Sequence, residues 1–369
     1  MRRSWVRSPP RPYFLSSTIP PYSPGSRYCR DRYIQPASDA DQAVTASDTD
    51  AGTETILVTG GTGFIGSHLA RLLVDDGHEV VAFDAAPDAA LLERLDVAEA
   101  VEVRHGDVTD VAALARAVRE SGATRIVHLA ALLSEDVRTD ELAATRVNAL
   151  GANHVLEVAR LLSDRIDRVV VTSSETVYGP GSAYDGSVPE TALLSPDSPY
   201  AAAKRHAECL SRRYREDYGV PAIALRPTGV FGPFRRSFTA FSDLFERPAV
   251  GDPVRVEGGG TAVSWLSVRD AADAFRRAAL APATDLENGV YNVRGEVATV
   301  AAAAEAVRRL LPDAEVTLTD DADYDWSAQR LALDRTRGDL GYEIDYGLEE
   351  LTRGYVGAVR RDAGLDPVD

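Results

Sequence analysis

The segment Ile56–Gly66, which reads ILVTGGTGFIG, decides the fold. Its first residues are β-branched and apolar, which predicts a short buried strand, and an apolar helical spacing continues after it through Leu73. Between the two lie Gly60, Gly63 and Gly66, where the lack of side chains lets the backbone turn tightly and approach phosphate groups at the helix N-terminus. A strand, a glycine loop and a helix in this order predict the first unit of a dinucleotide-binding α/β domain.

The next predicted strand, Val80–Phe83, ends at Asp84, 18 residues after Gly66. A carboxylate at this place can accept both hydroxyls of a nucleotide ribose and repels a ribose 2′-phosphate. Ala85 and Ala86 follow, so no arginine stands there to hold such a phosphate. The sequence therefore predicts NAD, rather than NADP, as the cofactor. The alternative is a glycine turn in an α/β domain that holds no cofactor.

Predicted strands and helices alternate up to residue 232. Apolar segments lie at 101–104, 126–129, 169–172 and 223–225, and helical stretches lie near 110–120, 137–163 and 198–218. Such alternation implies a parallel sheet that is covered by helices on both faces. The expected fold class is α/β, a Rossmann-type doubly wound parallel sheet with a smaller C-terminal substrate-binding lobe.

Three regions are expected along the chain. Residues 1–52 form a disordered tail, because prolines are frequent up to residue 38 and a Ser/Thr/Asp/Ala run follows. Residues 53–232 form the NAD-binding Rossmann domain. Residues 233–369 form mainly the substrate-binding lobe, from which some segments can return to the sheet.

Composition excludes several partners. The net charge is -17, which argues against nucleic acid or an anionic membrane as a partner. There is no apolar run near the ~18 residues that a membrane-spanning helix needs. The cysteines Cys29 and Cys209 lie far apart and form no disulfide framework, and the six histidines make no metal-ligand cluster. We therefore expect no metal and a cytoplasmic location.

The stretch Ser198–Lys204 carries the candidate chemistry. Lys204 is the only lysine among 40 basic residues. Ser198 is a plausible N-cap and Pro199 suits the first helical position, so Tyr200 and Lys204 lie one turn apart on one helix face. A close ammonium favours the phenolate, and bringing the pKa of a tyrosine from ~10 to near neutrality takes about 4 kcal/mol. The competing interpretation is a solvated helix with a common residue spacing.

Together these motifs resemble the extended short-chain dehydrogenase/reductase family, the NAD-dependent epimerase/dehydratase group, over about Thr55–Asp345. Further matching motifs are Gly106–Val108, His128–Ala131, Ser173–Gly179 and Arg226–Pro233. The cofactor-binding residues that the resemblance implies are Gly60, Gly63, Phe64, Ile65, Gly66, Asp84, Asp107, Val108, Leu129, Ala130, Ala131, Asn148, Pro227 and Val230.

The resemblance also implies a catalytic set of Ser174, Tyr200 and Lys204. Tyr200 exchanges a proton with a substrate hydroxyl, Lys204 lowers the pKa of the tyrosine and holds the nicotinamide ribose, and Ser174 hydrogen-bonds the reacting oxygen. Tyr178, in the same motif as Ser174, is interpreted as structural.

Three departures from the family pattern bear on the reaction. The Asp-Glu pair of the 4,6-dehydratases is here Glu175-Thr176, which argues against dehydration. Gly229 and Val263 stand where nucleotide-sugar epimerases usually have an asparagine and an arginine.

Three hypotheses follow. The first is a nucleotide-sugar or sugar epimerase-type oxidoreductase, and the second is a net dehydrogenase of a free sugar, uronate or small hydroxy acid. The third is an NAD-sensing regulator without turnover. We expect the pocket at Leu132–Glu135, Glu175–Tyr178, Gly229–Arg236 and Trp265, and a homodimer formed through the helices near 137–163 and 198–218.

Overall fold

The computed structural model describes residues 52–133, 138–235, 241–282, 286, 288–319 and 327–368. The predicted tail lies, apart from Gly52, outside these residues. So do Ser134, Glu135 and Arg236 of the predicted pocket.

The central sheet has seven parallel strands in the order β10-β6-β5-β4-β1-β2-β3. Their bounds are β1 (Thr55–Thr59), β2 (Glu79–Asp84), β3 (Val101–His105), β4 (Arg125–His128), β5 (Arg168–Thr172), β6 (Ala222–Pro227) and β10 (Val290–Val293). This architecture confirms the predicted Rossmann-type fold. Strand β10, which follows residue 232, pairs with β6 in parallel register, Val293 opposite Pro227.

Helices cover both faces of the sheet because each strand is apolar on both sides. In β1, Ile56 and Val58 pack into one core, whereas Leu57 packs into the other. The first core is formed with α1 (Phe64–Asp75), α8 (Val268–Leu280) and α10 (Asp334–Leu340), and the short α2 (Ala90–Arg94) lies beside α1. The second core is formed with α3 (Val111–Ser121), α5 (Gly151–Leu161) and α6 (Pro199–Tyr218).

The helix predicted over 137–163 contains a π-helical turn. It runs as α4 (Glu141–Thr145), the π turn Arg146–Leu150, and α5, with helical backbone angles through both junctions. Such turns are rare inside α-helices and are frequent at functional sites. This one carries Asn148, which is buried.

A smaller lobe packs around an aromatic core. It contains β7 (Val230–Phe231), β8 (Val254–Glu257), β9 (Ala262–Ser267), β11 (Glu296–Thr299), β12 (Val316–Thr319), α7 (Asp243–Ala249), α9 (Val300–Leu310) and α11 (Leu348–Asp362). The strands pair as β11-β9-β7 and β12-β8. Trp265 lies at the centre, with the rings of Phe231 and Phe245 at 4.8 and 5.7 Å between centroids. Within the part of the chain that the structure describes, every helix is too short or too polar to cross a membrane.

Candidate active site

The glycine loop joins β1 to α1 at the carboxyl edge of the sheet. Gly60 has φ of 67°, in the left-handed region that favours glycine, and a Cβ there would lie 2.9 Å from the backbone nitrogen of Ala130. A Cβ at Gly66 would lie 2.4 Å from the carbonyl oxygen of Gly60. Helix α1 begins after Gly63, and none of the described side chains caps its first turn. Its backbone N–H groups therefore suit an anion such as a pyrophosphate.

Asp84 lies beside this loop, as the sequence predicts. Its Oδ2 accepts hydrogen bonds from the Thr62 hydroxyl at 2.8 Å and from the Thr62 N–H at 3.3 Å, and its Oδ1 accepts from the Ala86 N–H at 3.1 Å. The carboxylate is half-buried, so it is both oriented by the loop and reachable from solvent. A fixed carboxylate at the end of β2 suits a ribose with free hydroxyls.

The first turn of α1 contains Phe64 and Ile65, both half-buried. Phe64 lies against Gly232, where a Cβ would come within 3.0 Å of the ring. The Arg235 guanidinium lies 5.8 Å from the centroid of the same ring. This turn therefore connects the glycine loop with the segment that follows β7.

The segment after β3 holds two more of the predicted cofactor residues. Asp107 is exposed, and its Oδ1 accepts from the Thr109 N–H at 2.8 Å. Val108 is buried and packs on Gly151, where a Cβ would lie 2.7 Å from a Val108 methyl group. Asp107 thus faces solvent near the edge of the sheet while Val108 anchors the segment.

After β4, Leu129, Ala130 and Ala131 form a half-buried ledge beside the glycine loop. Asn148 holds the end of this ledge, because its side chain accepts from the Leu132 N–H and donates to the Leu132 carbonyl, both at 2.8 Å. In the structure the amide of Asn148 therefore positions the chain after β4.

The last two predicted cofactor residues lie where β6 ends and β7 begins. Pro227 ends β6, and Val230 begins the short β7, which pairs with β9. Both lie at the same edge of the sheet as the glycine loop, since all the strands of the sheet are parallel. The uncapped helix end, the close-packed glycines and the half-buried carboxylate of Asp84 fit NAD. That the fourteen predicted residues hold it stays a prediction.

Lys204 lies in the buried interior of the site. Its Nζ donates to the Thr172 carbonyl at 3.0 Å and lies 5.6 Å from the centroid of the Tyr200 ring. Ser198 caps α6 by accepting from the Ala201 N–H, and Pro199 occupies the first turn, as predicted. Burial lowers the pKa of Lys204 to about 8.

Ser174 and Tyr200 meet at the end of β5. Ser174 lies at the start of a short 3₁₀ turn, Glu175–Tyr178, where its Oγ accepts from the Thr176 N–H at 3.2 Å, and it lies close enough to Tyr200 to lower the pKa of that phenol. Together with Lys204, these residues place two hydroxyls and one amine at a single point of the sheet edge. The geometry brings together all three predicted catalytic side chains.

The surroundings of Tyr200 act against the predicted lowering of its pKa. Burial and the nearby Glu175 carboxylate raise the pKa of Tyr200 above its ordinary value, more than Arg235 and Ser174 lower it. Lys204 contacts the ring face and the Thr172 carbonyl. Tyr200 is therefore protonated at neutral pH.

Glu175 lies in the predicted pocket segment Glu175–Tyr178 but was not among the predicted catalytic residues. Ser174 Oγ donates to its Oε2 at 2.9 Å, and Ser327 Oγ donates to its Oε1 at 3.3 Å. Burial raises the pKa of Glu175, although these hydrogen bonds partly oppose the shift. Its position directly after the candidate hydroxyl was the sequence signal that could have identified it.

Arg235 lies in the predicted pocket segment Gly229–Arg236 and was likewise absent from the predicted catalytic set. Its Nη1 donates to the Val230 carbonyl at 2.7 Å, and its charge acts on both Tyr200 and Glu175. Burial lowers the pKa of this guanidinium. The site therefore contains a cation next to its reactive hydroxyl.

Trp265 does not belong to the pocket, contrary to the prediction. Its side chain has no exposed surface, and its Nε1 donates to the Ala298 carbonyl at 3.1 Å inside the smaller lobe. Strand alternation turns it instead toward the aromatic core.

Comparisons with known proteins identify the family of this chain. The family described as "NAD dependent epimerase/dehydratase family" matches residues 56–293. A low-salt glycan biosynthesis protein of Haloferax volcanii is 30% identical over 312 residues, 80% of this chain and 95% of that protein. The dTDP-glucose 4,6-dehydratase of Salmonella typhimurium is 31% identical over 241 residues, 60% of this chain and 67% of that protein.

A solved structure is similar over most of both chains. The UDP-glucose 4-epimerase of Thermus thermophilus in complex with NAD is 29% identical, with a TM-score of 0.66, and the match covers 83% of this chain and 99% of that chain. The range 56–293, which the family matches, spans the glycine loop, Asp84 and the segment that contains Ser174, Tyr200 and Lys204. The chain belongs to the NAD-dependent epimerase/dehydratase family, and it is an enzyme that uses NAD.

Proposed function

We propose that this enzyme inverts or otherwise transforms a hydroxyl-bearing carbon of a nucleotide sugar by reversible oxidation, with no net consumption of NAD. The observation that carries the proposal is the meeting of Ser174, Tyr200 and Lys204 beside the glycine loop. NAD, when bound, accepts a hydride and returns it. The chain's own residues must then move the proton and hold the reacting oxygen.

Tyr200 is proposed as the acid–base residue and Ser174 as the hydrogen-bond partner of the reacting oxygen. Tyr200 must lose its proton to act as a base, yet burial and the charge of Glu175 oppose this. Burial raises the pKa of Glu175, and protonation of this carboxyl would remove that opposing charge. Lys204, close to the ring, favours the phenolate by its positive charge.

The nucleotide-sugar substrate is proposed from the relatives, whose names state dTDP-glucose and UDP-glucose. Such substrates carry a diphosphate, and a cation in the pocket would stabilise it. Arg235 supports this assignment, since its charge already acts on Tyr200 and Glu175 inside the site. It can substitute for the arginine that the family places near Val263, a residue buried in β9.

Dehydration is not proposed. A 4,6-dehydratase uses two neighbouring carboxylates, and this chain has Glu175 followed by Thr176. The Thr176 hydroxyl is buried and makes no hydrogen bond within the described residues. A threonine hydroxyl does not ionise, so it cannot replace a carboxylate as acid or base.

Net dehydrogenation of a free sugar, uronate or small hydroxy acid is the second candidate. Gly229 and the buried Val263 favour it, because they stand in place of the asparagine and the arginine that the family uses to hold a nucleotide sugar.

Incubation of the purified enzyme with NAD and UDP-glucose, dTDP-glucose or free sugars distinguishes the two candidate functions. Epimerisation yields a new sugar with no lasting rise in absorbance near ~340 nm, whereas net dehydrogenation accumulates reduced nicotinamide. A rise with free sugars alone would overturn the first proposal.

A further inference from the structure

A buried acidic residue lies on the helix that carries the catalytic pair. Glu208 follows Lys204 by four residues and Tyr200 by eight, so the three share one face of α6. Its side chain has no exposed surface. Neither the hydride transfer nor the binding of NAD has so far given this carboxylate a role.

All the hydrogen bonds to Glu208 come from charged or hydroxyl groups. Its Oε1 accepts from Ser173 Oγ and from Arg226 Nε, both at 2.6 Å. Its Oε2 accepts from Arg226 Nη2 and from Arg205 Nη1, both at 2.9 Å. The two bonds from Arg226 form a bidentate pair, which fixes direction as well as distance.

Each of these contacts lies directly next to a residue of the site. Ser173 precedes Ser174, and Arg226 precedes Pro227 at the end of β6. One turn earlier, Lys204 donates to the carbonyl of Thr172. Helix α6 is thus attached to β5 at two points and to β6 at a third, all beside the reacting groups.

The network continues away from the helix and is satisfied along its length. Arg226 Nη1 donates to the Tyr178 hydroxyl at 2.7 Å, and that hydroxyl donates to Asn292 Oδ1 at 2.7 Å on β10. The Asn292 side chain in turn donates to the Val188 carbonyl at 3.0 Å. Buried polar networks with every member paired are rigid and specify one arrangement.

Stability alone does not account for an ion pair at this position. A buried ion pair contributes little more to folding stability than well-packed apolar side chains of similar volume, because both charges lose their hydration. Burial by itself would raise the pKa of Glu208, but the hydrogen bonds and charge of Arg226 hold it below its ordinary value. The carboxylate therefore stays ionised and keeps its direction toward β5 and β6.

We propose that Glu208, through Arg226 and Ser173, is a positioning residue that sets Tyr200 and Lys204 against Ser174. The proposal rests on the proposed function for its kinetic readout. A misplacement of about 1 Å in a catalytic group can cost about 10²-fold in rate. The pair is expected to affect turnover more than the affinity for NAD, since the glycine loop, which suits the pyrophosphate, lies on other elements.

The test uses the double variant Glu208→Leu/Arg226→Met in the full chain, which replaces the pair with apolar side chains. We expect a thermal midpoint close to that of the wild type, a kcat reduced about 10²-fold, and an NAD affinity, measured by calorimetry, that changes less than kcat does. The matched control is Glu54→Gln/Arg125→Met, which removes the ion pair of 2.9 Å at the opposite edge of the sheet. The control is expected to keep its kcat.

A second readout is independent of any substrate. Lys204 is the only lysine, so protein labelled with ¹³C-lysine gives one side-chain signal, and its titration reports the pKa of Lys204. In the wild type and in the control the midpoint should lie at about 8. In the double variant the midpoint should move toward the ordinary lysine pKa of about 10.4. The reason is that the Lys204 ammonium, no longer fixed in its buried position, becomes accessible to water.

Ser173→Ala serves if the double variant does not fold, since it removes one contact of Glu208 and keeps the ion pair. It should lower kcat about tenfold and move the lysine midpoint in the same direction. A folded variant with an unchanged lysine titration and an unchanged kcat would overturn the proposal. If the wild type turns over no nucleotide sugar, the proposed function fails, while the lysine titration still decides the role of Glu208.

Discussion

The carboxyl edge of the central sheet and the core of the smaller lobe are equally buried but differently made. The sheet edge buries Lys204, Glu208 and Arg226, each of which is held by hydrogen bonds of fixed direction. The smaller lobe buries Trp265 and Phe245 in contacts without charge. Directional bonds hold atoms at set distances, whereas apolar packing mainly fills volume. The sheet edge should therefore determine the rate of turnover, and the core of the smaller lobe should determine the folding stability.

The largest expected effect is that of Tyr200→Phe. Loss of the phenol removes the acid–base group, and such groups contribute about 10²–10⁴-fold to rate. Turnover should fall by that factor while the thermal midpoint and the NAD affinity remain unchanged. Tyr218→Phe, at the exposed end of the same helix, is the matched control and should keep full activity. Undiminished turnover in Tyr200→Phe would remove Tyr200 from the mechanism.

Trp265→Ala should show the opposite profile. The side chain is fully buried, and deletion of a large aromatic side chain from a core costs about 3–5 kcal/mol of unfolding free energy. Denaturant unfolding measures this loss, and kcat per folded molecule should stay near that of the wild type. A Trp265→Phe protein, which fills most of the space, should lose less. A large fall in kcat with intact stability would place Trp265 in the site after all.

Lys204→Arg should lower turnover by about 10²-fold, in the range found for the loss of one preorganised electrostatic group. The guanidinium is larger and planar, and it cannot reproduce a compact ammonium between the Thr172 carbonyl and the Tyr200 ring. Circular dichroism should confirm that the variant is folded. Near-normal turnover would contradict the assignment.

A smaller effect is expected from pH. Burial, with the charge of Lys204 adding to it, lowers the pKa of His128 to about 3 from 6.5. The unfolded state then binds the proton first, so stability is complete above pH 6.5 and is lost as pH falls toward 3. The loss is at most about 1.4 kcal/mol per pH unit. His128→Asn should reduce this slope in urea unfolding, and an identical slope would show that other groups cause it.

The smallest effect concerns assembly. A homodimer through α4–α5 and α6 remains a prediction, and Leu142 and Leu161 on these elements are each 61% exposed. Leu142→Glu/Leu161→Glu should give a monomer by sedimentation with little change in the free energy of unfolding per chain. Leu193→Glu, at an exposed residue outside the helices, should not change the assembly. A wild-type monomer would contradict the prediction.

The two regions also differ in how far the sequence predicts them. The site edge was predicted because its chemistry requires fixed spacings, such as Gly60 to Gly66 or Tyr200 to Lys204. The strands β8, β11 and β12 were not predicted, because short strands in a mixed lobe have no comparable spacing. Trp265 shows the limit of prediction from sequence, since its position in the chain does not reveal on which face of β9 its side chain lies.

Within the site, residue identity was predictable but electrostatics were not. The pKa of Tyr200 depends on Glu175 and Arg235, which the fold brings to it from other segments. The pairing of Glu208 with Arg226 joins α6 to β6 and is likewise visible only in three dimensions. Spacing rules act along one element, whereas these contacts join different elements.

The most direct test of the central claim measures nucleotide-sugar conversion in the wild type, Tyr200→Phe and Trp265→Phe side by side, with product configuration followed by NMR. We predict conversion by the wild type without lasting reduced nicotinamide, a near-wild-type rate per folded molecule for Trp265→Phe, and a loss of about 10²–10⁴-fold for Tyr200→Phe. Failure of the wild type to convert any nucleotide sugar, or equal rates in all three proteins, would contradict it.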